Sequence, residues 1–518
     1  MGFQLSPGVV TSEIDLTTSI PSAGTSTGAF AGIFQWGPVN QVIQITDETK
    51  LVEVFGKPDS NTAMSFFTCA NFLAYGNDLR VVRAGSPTTT NTAISNPSSL
   101  VANVSINNSE DYYNTYYSVN TTDIGAWAAR YPGEKGNSLR IDVWANNNST
   151  EFSSWAWSSL FNGVPGTSVY ANNIIAGCND EMHIVVTDST GAISGKANTV
   201  LETFAYVSKA SDAKDDTGNS NFYKEVIYRK SKYIYSTDLP NTEITAITSG
   251  KWNTPVSVGG AGSFGFTQIE ANNVSLVRGT DGTVATGHIE LAYDKLTNSE
   301  QIDISLVMTG AHNSTVQQYV IDNIAENRKD CVAFISPSLD ATQDSTDPAA
   351  AIVTYRDALA RSTSYAVMDS SWKYQYDKYN DIYRWVPLNA DIAGLCVRTD
   401  ASRDPWFSPA GTTRGSIKNV VKLSFVPNKT QRDTLYKSGV NPVVTFPGEG
   451  TILFGDKTML AKPSAFDRIN VRRLFIVLEK AISRAARSSL FEFNDDFTRA
   501  QFVSLVEPFL RDVQGRRG

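Results

Sequence analysis

Charge is scarce in this 518-residue sequence: Asp, Glu, Lys and Arg together make up 19%, below the roughly 25% usual for soluble domains. Ser, Thr, Asn and Gly fill the polar balance. The net charge of −8 lacks the basic excess of a nucleic-acid binder, so no nucleic-acid partner is expected. Histidine is almost missing, with His183, His288 and His312 the whole supply, and none lies beside Ser or Cys in a nucleophile motif. The four cysteines, Cys69, Cys178, Cys331 and Cys396, fall singly. That spacing excludes the paired ligands of a zinc site and reads as reduced, buried thiols. No Gly-x-x-x-x-Gly-Lys-Ser/Thr loop occurs, which removes a P-loop phosphate cradle. No apolar run approaches the ~20 residues of a membrane span, and no charged-then-apolar leader precedes Ser6-Pro7-Gly8. Neither membrane insertion nor secretion is expected, and the chain is read as made in a cytoplasm.

What is present is organised. Residues 1–24 form a polar, turn-rich arm in which Val10, Ser12, Ile14 and Leu16 alternate with Val9, Thr11, Glu13 and Asp15, the period of a strand. With no local partner, that strand is a candidate for pairing with another subunit's sheet. Residues 25–90 carry an apolar strand at 29–34, a helix capped by Thr46 and stopped at Gly56, a second helix near 62–75 and a strand at 79–84. Residues 91–200 hold short strand-like runs between Asn, Ser, Gly and Pro clusters, read as a β-rich outer insertion, barrel or sandwich. Residues 201–345 are read as an α/β middle domain. Apolar runs at 302–307 and 331–335 flank a helix at 314–328 with Ser314 and Gln317 as its capping box. A helix at 348–361 and a strand at 365–368 extend the series. The fold class is therefore α/β multi-domain: a mixed α/β body with a parallel βαβαβ sheet, and an α/β domain built from both chain ends, 25–90 plus 346–518.

A parallel sheet raises the rival reading of a nucleotide-binding enzyme, whose ligand would sit at the strand ends near Gly310, Pro337, Ser338 and Asp369. The run Gly260-Ala261-Gly262-Ser263-Phe264-Gly265 matches a dinucleotide pattern, but the alternating residues behind it read as a strand, not the helix a pyrophosphate needs. Asp212, Asp215 and Asp216 lack the spacing of a calcium loop and read as a solvated turn. A third reading has the Tyr- and Trp-rich insertion binding host glycans. No catalytic, cofactor or metal residue is assigned, and the chain is read as a non-enzyme.

One constellation stands out. Spaced at 100° per residue on a helix at 470–489, Val471, Leu474, Phe475, Leu478, Ile482 and Ala485 share one face, and Arg473, Lys480, Arg484 and Arg487 share the opposite one. Such a stripe reads either as a solvated face or as a cationic surface that docks on an acidic partner.

The ordered motifs Ser6-Pro7-Gly8-Val9, the runs 31–38 and 72–83, Tyr131-Pro132-Gly133 with Gly136-Asn137, Ala390-Asp391-Ile392-Ala393-Gly394 with Arg398-Thr399-Asp400, Ser438-Gly439-Val440-Asn441 and Asn470-Val471-Arg472-Arg473-Leu474 together resemble the tail sheath proteins of contractile-tailed bacteriophages, the large multi-domain kind. The resemblance implies a virion subunit that polymerises as stacked hexameric rings around the tail tube. It also implies contraction that drives the tube through the host envelope, and contact with tube protein, baseplate and tail terminator. Terminal arms would exchange strands between copies, and a helix near the C-terminus would meet the tube, with the four cations as candidate contacts. Relatives continue past the segment resembling residues 509–514, so a chain ending at Gly518 is expected to lack the C-terminal segment and to remain monomeric.

Overall fold

Small and apolar residues, Gly-Ala-Phe-Ala-Gly, make strand β1 (Gly28–Gly32), which is buried along its whole length. The computed structural model describes residues 24–96, 103–118, 124–237, 252–258, 265–343, 345–487 and 490–518. The arm strand at Val10, Ser12, Ile14 and Leu16 and glycine-run residues 260–264 lie outside them. After β1 come β2 (Val42–Ile45), α1 (Glu48–Phe55), α2 (Ala63–Leu73) and β3 (Leu79–Arg83). The cap of α1 is Asp47, which accepts from the Lys50 amide at 2.9 Å, not the expected Thr46; the carboxylate is the residue with the extended backbone an N-cap needs.

The chain then leaves for the insertion: β4 (Trp127–Ala129), β5 (Leu139–Ala145), β6 (Glu181–Asp188), β7 (Thr199–Ser208), α3 (Tyr223–Lys230), β8 (Ile234–Ser236) and β9 (Ile269–Ser275). In place of the expected barrel or sandwich, the described residues form a four-stranded antiparallel sheet, order β7-β6-β5-β9, and a separate β4-β8 ribbon. They share a core of Trp127, Ile141, Val143, Ile184, Val186 and Trp252.

The return brings α4 (Thr286–Asp294), β10 (Leu306–Met308), α5 (Ser314–Tyr319), β11 (Val332–Ile335), α6 (Pro348–Ala358) and β12 (Ala366–Asp369). Asn313, one residue before the expected Ser314, caps α5 by accepting from the Val316 amide at 3.1 Å. Gln317 is drawn away from the cap, its amide donating to the carbonyls of His312 and Ser336. Then follow β13 (Trp372–Asp377), β14 (Ile382–Pro387), α7 (Asn389–Ser402), β15 (Lys422–Leu423), α8 (Lys429–Lys437), β16 (Val440–Asn441), β17 (Val443–Phe446), β18 (Gly450–Leu453), α9 (Ile469–Ala486) and α10 (Asp496–Gly515).

The central sheet has seven strands, order β16-β12-β11-β10-β1-β3-β2, parallel except for β2. Its side chains alternate between two cores, as a sheet covered on both faces requires. Phe30, Leu306, Met308 and Phe334 pack on one side with Phe66, Phe72, Ile392 and Leu395. Ala29, Ala31, Val307 and Ala333 pack on the other with Ile289, Val320, Ile324 and Ile352. Residues 201–345, expected as a middle domain, contribute strands to two different sheets. β7 and β9 pair within the insertion sheet while β10 and β11 pair within the central one. Hydrogen bonding between strands follows pairings far apart in sequence, which no local composition marks.

At the carboxyl ends of the parallel strands, where an enzyme of this topology would bind its ligand, the wholly buried Asn389 at the start of α7 fills the crevice. Its Oδ1 accepts from the Gly310 amide at 3.0 Å, and its Nδ2 donates to the Gly310 carbonyl at 2.8 Å and to Ser336 Oγ at 3.0 Å. Ser336 Oγ in turn donates to Asp369 Oδ2 at 2.6 Å. Burial pushes the Asp369 carboxyl up to about 7, the nearby Asp391 adding repulsion while the Ser336 hydroxyl and Ser371 amide oppose the shift. The folded state thus keeps a proton on Asp369 that the unfolded chain releases near pH 4, so this group makes stability fall as pH rises from about 4 to 7. Replacing it removes the slope: between pH 5 and 8 the Asp369→Asn variant should gain about 2–3 kcal/mol on the parent, read from urea midpoints at the two pH values. Parallel pH profiles for the two proteins would show that Asp369 does not titrate in that window.

Candidate functional site

The residues picked out for chemistry have structural duties. His312 stacks on Phe30 with ring centroids 5.6 Å apart and bonds the Ala31 carbonyl at 2.8 Å; burial holds its pKa below the usual value. His183 stacks on Phe161 at 4.0 Å and accepts from the Tyr206 amide. Asp212 and Asp215 accept from backbone amides, at Val256 and Ser257 and at Thr217 and Asn219 respectively. Among the described residues no group of three His, Cys, Asp or Glu could hold a metal ion, and no helix is long and apolar enough to cross a membrane.

Helix α9 is amphipathic as its periodicity predicts, but it is docked the opposite way round. The cationic side faces the body. Arg473 is 3% exposed and its Nη2 donates to Asp400 Oδ2 at 2.5 Å, while Thr25 Oγ1 bonds the same carboxylate oxygen at 2.7 Å. Burial works against the Arg473 charge, yet Asp400 beside it holds the pKa above its ordinary value. Lys480 Nζ donates to Asp303 Oδ1 at 2.9 Å, the Ile304 carbonyl at 2.8 Å and Ser305 Oγ at 2.9 Å. Arg484 reaches the other oxygen of Asp303 at 2.6 Å. Burial alone would raise the Asp303 carboxyl; the two cations hold it below its usual range. Even Arg472, outside the stripe, turns inward, its guanidinium 4.2 Å from the rings of Tyr365 and Phe466. Arg487 alone of the four expected contacts is exposed.

Of the side expected to be core, Ala485 is buried and the rest turns outward beside the exposed Glu479 and Ser483, while Ile476, Val477 and Ala481 are buried on the cationic side. Phe475 is 38% exposed, and Val471, Leu474, Leu478 and Ile482 are half-buried. Beyond α9, Phe493, Phe497 and Val503 are more than half exposed, while the far end of α10 is held down by buried Val513 and by the Arg516 pair with Asp404. The inward cations were invisible to sequence reasoning because their carboxylates, Asp303 and Asp400, lie 177 and 73 residues from Lys480 and Arg473.

This arrangement makes a clear stability contrast. Asp400→Ala leaves the Arg473 charge buried without its partner and should cost about 3–5 kcal/mol. Arg487→Glu on the open surface should change stability by no more than about 0.5 kcal/mol. Urea unfolding of both variants measures the difference, and equal losses would contradict the inward docking.

Comparison with known proteins bears on what such a surface serves. Residues 282–459 match the family described as phage tail sheath protein central domain, and residues 25–84 match tail sheath protein Gp18 domain III N-terminal region. The chain is 33% identical to the tail sheath protein of Vibrio phage KVP40, covering 99% of this chain and 91% of that one. It is 31% identical to the tail sheath protein of Enterobacteria phage T4, covering 98% and 90%. Among solved structures it resembles a sheath tail protein from Listeria innocua with a TM-score of 0.54 at 11% identity, covering 96% of this chain and 86% of that one; this likeness concerns the fold alone. With the two phage relatives matched along nearly their whole length, the chain belongs to the family of contractile bacteriophage tail sheath proteins.

Proposed function

We propose that this sheath subunit meets the tail tube through the exposed apolar side of α9 and the phenylalanines that follow it, within hexameric rings stacked along the tube. The observation that carries the reading is the reversed docking of α9. A helix that spends Arg473, Lys480 and Arg484 on intramolecular pairs and leaves Phe475 outside has apolar surface to offer a partner. The paired cations fix the angle of the helix on the body, so the stripe is presented by a rigid element.

Contraction on this reading is a change of packing between rigid subunits. The doubly covered central sheet has little freedom to deform, and the work is done where subunits meet. The plugged strand-end crevice favours this non-enzymatic role over nucleotide chemistry. The arm strand at Val10, Ser12, Ile14 and Leu16 would keep neighbouring copies connected, and the baseplate and tail terminator would bound the stack. The subunit would be assembled in the host cytoplasm and carried in the virion.

The test uses the full chain with tail tubes. Phe475→Glu together with Phe497→Glu places two carboxylates on the stripe at exposed positions. The melting temperature should stay within a few degrees of the parent, and sheath recovered with sedimented tubes should fall at least tenfold. Wild-type recovery with that variant would defeat the tube assignment.

A further inference from the structure

The three-stranded sheet β14-β13-β15 is reversed in the same sense as α9. Its pairing puts Tyr374 opposite Trp385 and Tyr376 opposite Tyr383, with Lys422 opposite Tyr374 on the third strand. One face therefore carries four aromatic side chains and a lysine. The other carries Lys373, Gln375, Asp377 and Arg384 together with Val386 and Leu423. This second face is turned into the protein: Val386 and Leu423 join the core, Lys373 Nζ donates to Asp391 at 2.9 Å with both side chains 1% exposed, and Arg384 pairs with the buried Asp377 at 2.8 Å. The aromatic face points out. Tyr376 is 47% and Tyr383 51% exposed, the rings stack into a ladder with centroids 4.8–5.4 Å apart, and the Lys422 ammonium lies 4.9 Å above Tyr374.

Two open grooves adjoin this ladder and share residues 419–421 as their common wall. Val421 stands 62% exposed between them. The first groove, of about 440 Å³, is lined by Asn71 and Gln375. Both are nearly buried, and Asn71 Nδ2 and Gln375 Oε1 have no hydrogen-bond partner. A soft turn of either terminal amide would bring a donor or an acceptor to a neutral polar group entering the groove. The charges at the rim do not call for an ionic partner, since Lys378 and Glu48 are already paired at 3.1 Å.

We infer that this aromatic sheet face, with Val421 and the groove beside it, is an interface between copies of the chain, covered in the assembled sheath by a largely apolar surface of a second copy. A shell of identical subunits that both closes into rings and stacks needs more than one self-contacting patch on each copy. The surface is apolar at its centre and aromatic-rich, the composition of an interface core. Apart from Lys422, whose ammonium lies over Tyr374, the face is uncharged, in keeping with a partner in which only 19% of residues are charged. The inference rests on the chain's membership of the sheath family and is independent of the tube contact through α9.

The experiment places a photo-reactive benzoylphenylalanine at position 421 of the full chain. Isotopically light and heavy copies are mixed, and the mixture is irradiated both free at high concentration and with tail tubes. Cross-linked peptides joining a light to a heavy chain are expected. In the same background, Tyr376→Ser with Tyr383→Ser should lower their yield at least tenfold with the melting temperature unchanged to within a few degrees. Cross-links only within one chain, only to tube or another protein, or none at all would overturn the assignment. So would a yield indifferent to the tyrosine substitutions, and none of these results would touch the tube contact.

Discussion

The parallel pairing of β1 with β10 is the seam on which the molecule depends. Gly28 lies opposite Leu306 and Ala29 opposite Val307, and the Thr27 carbonyl accepts from the amides of both Ser305 and Leu306. This short ladder joins β1, the first strand among the described residues, to segments that follow the whole insertion. Closing so long a loop costs on the order of 5 kcal/mol if the loop is flexible, and the insertion's own core makes it a folded unit instead. The seam leaves no room for substitution at its start: a Cβ on Gly28 would stand 2.5 Å from the Phe72 ring. That close approach lets α2 lie flat against the sheet.

The seam also decides how the C-terminal helices sit. It brings the entrance to β1, at Thr25, beside the entrance to β10, at Asp303 to Ser305. Helix α9 crosses both. Arg473 bonds the carboxylate that Thr25 also bonds, and Lys480 binds the three residues leading into β10. The helix thus staples the two strand entrances together, and its cations point inward because the polar groups they serve are there. The buried Arg473–Asp400 pair adds little net stability compared with apolar packing, and the pairs on the part-exposed Asp303 add less still. What they fix is orientation, and with it the direction in which the apolar stripe faces.

How much of this could be read from the sequence varied with the range of the interaction. The strands near 29–34, 79–84, 331–335 and 365–368, with the helices between them, were legible because apolar periodicity is a local signal. Caps were displaced by one residue, Thr46 for Asp47 and Ser314 for Asn313, where two competent capping residues are adjacent and only backbone conformation distinguishes them. The periodicity of α9 separates a cationic side from an apolar one, but the cations turn inward beside buried Ile476, Val477 and Ala481 because Asp303 and Asp400, distant in sequence, lie there. The sheet β13–β15 was passed over although Trp372 to Asp377 alternates strictly between aromatic and polar. Its orientation would still have been misread, since the usual rule buries the aromatic side.

The two reversals, in α9 and in β13–β15, share a physical logic. Pairing Lys373 with Asp391 inside the protein removes both from water, and desolvation alone moves their pKa values in opposite directions, the lysine's down and the aspartate's up. A monomer selected only for its own stability would bury Tyr374, Tyr376, Tyr383 and Trp385 and leave such charges outside. Charges buried with partners cost the isolated subunit stability, whereas the aromatic and apolar surface left outside yields its hydrophobic free energy only when another surface covers it. In a subunit whose task is to be packed against others, that division moves part of the stabilisation from the fold to the assembly. Contacts whose energy is gained between subunits are the ones a sheath can exchange when it contracts, while the paired charges inside each copy keep the presenting elements in place.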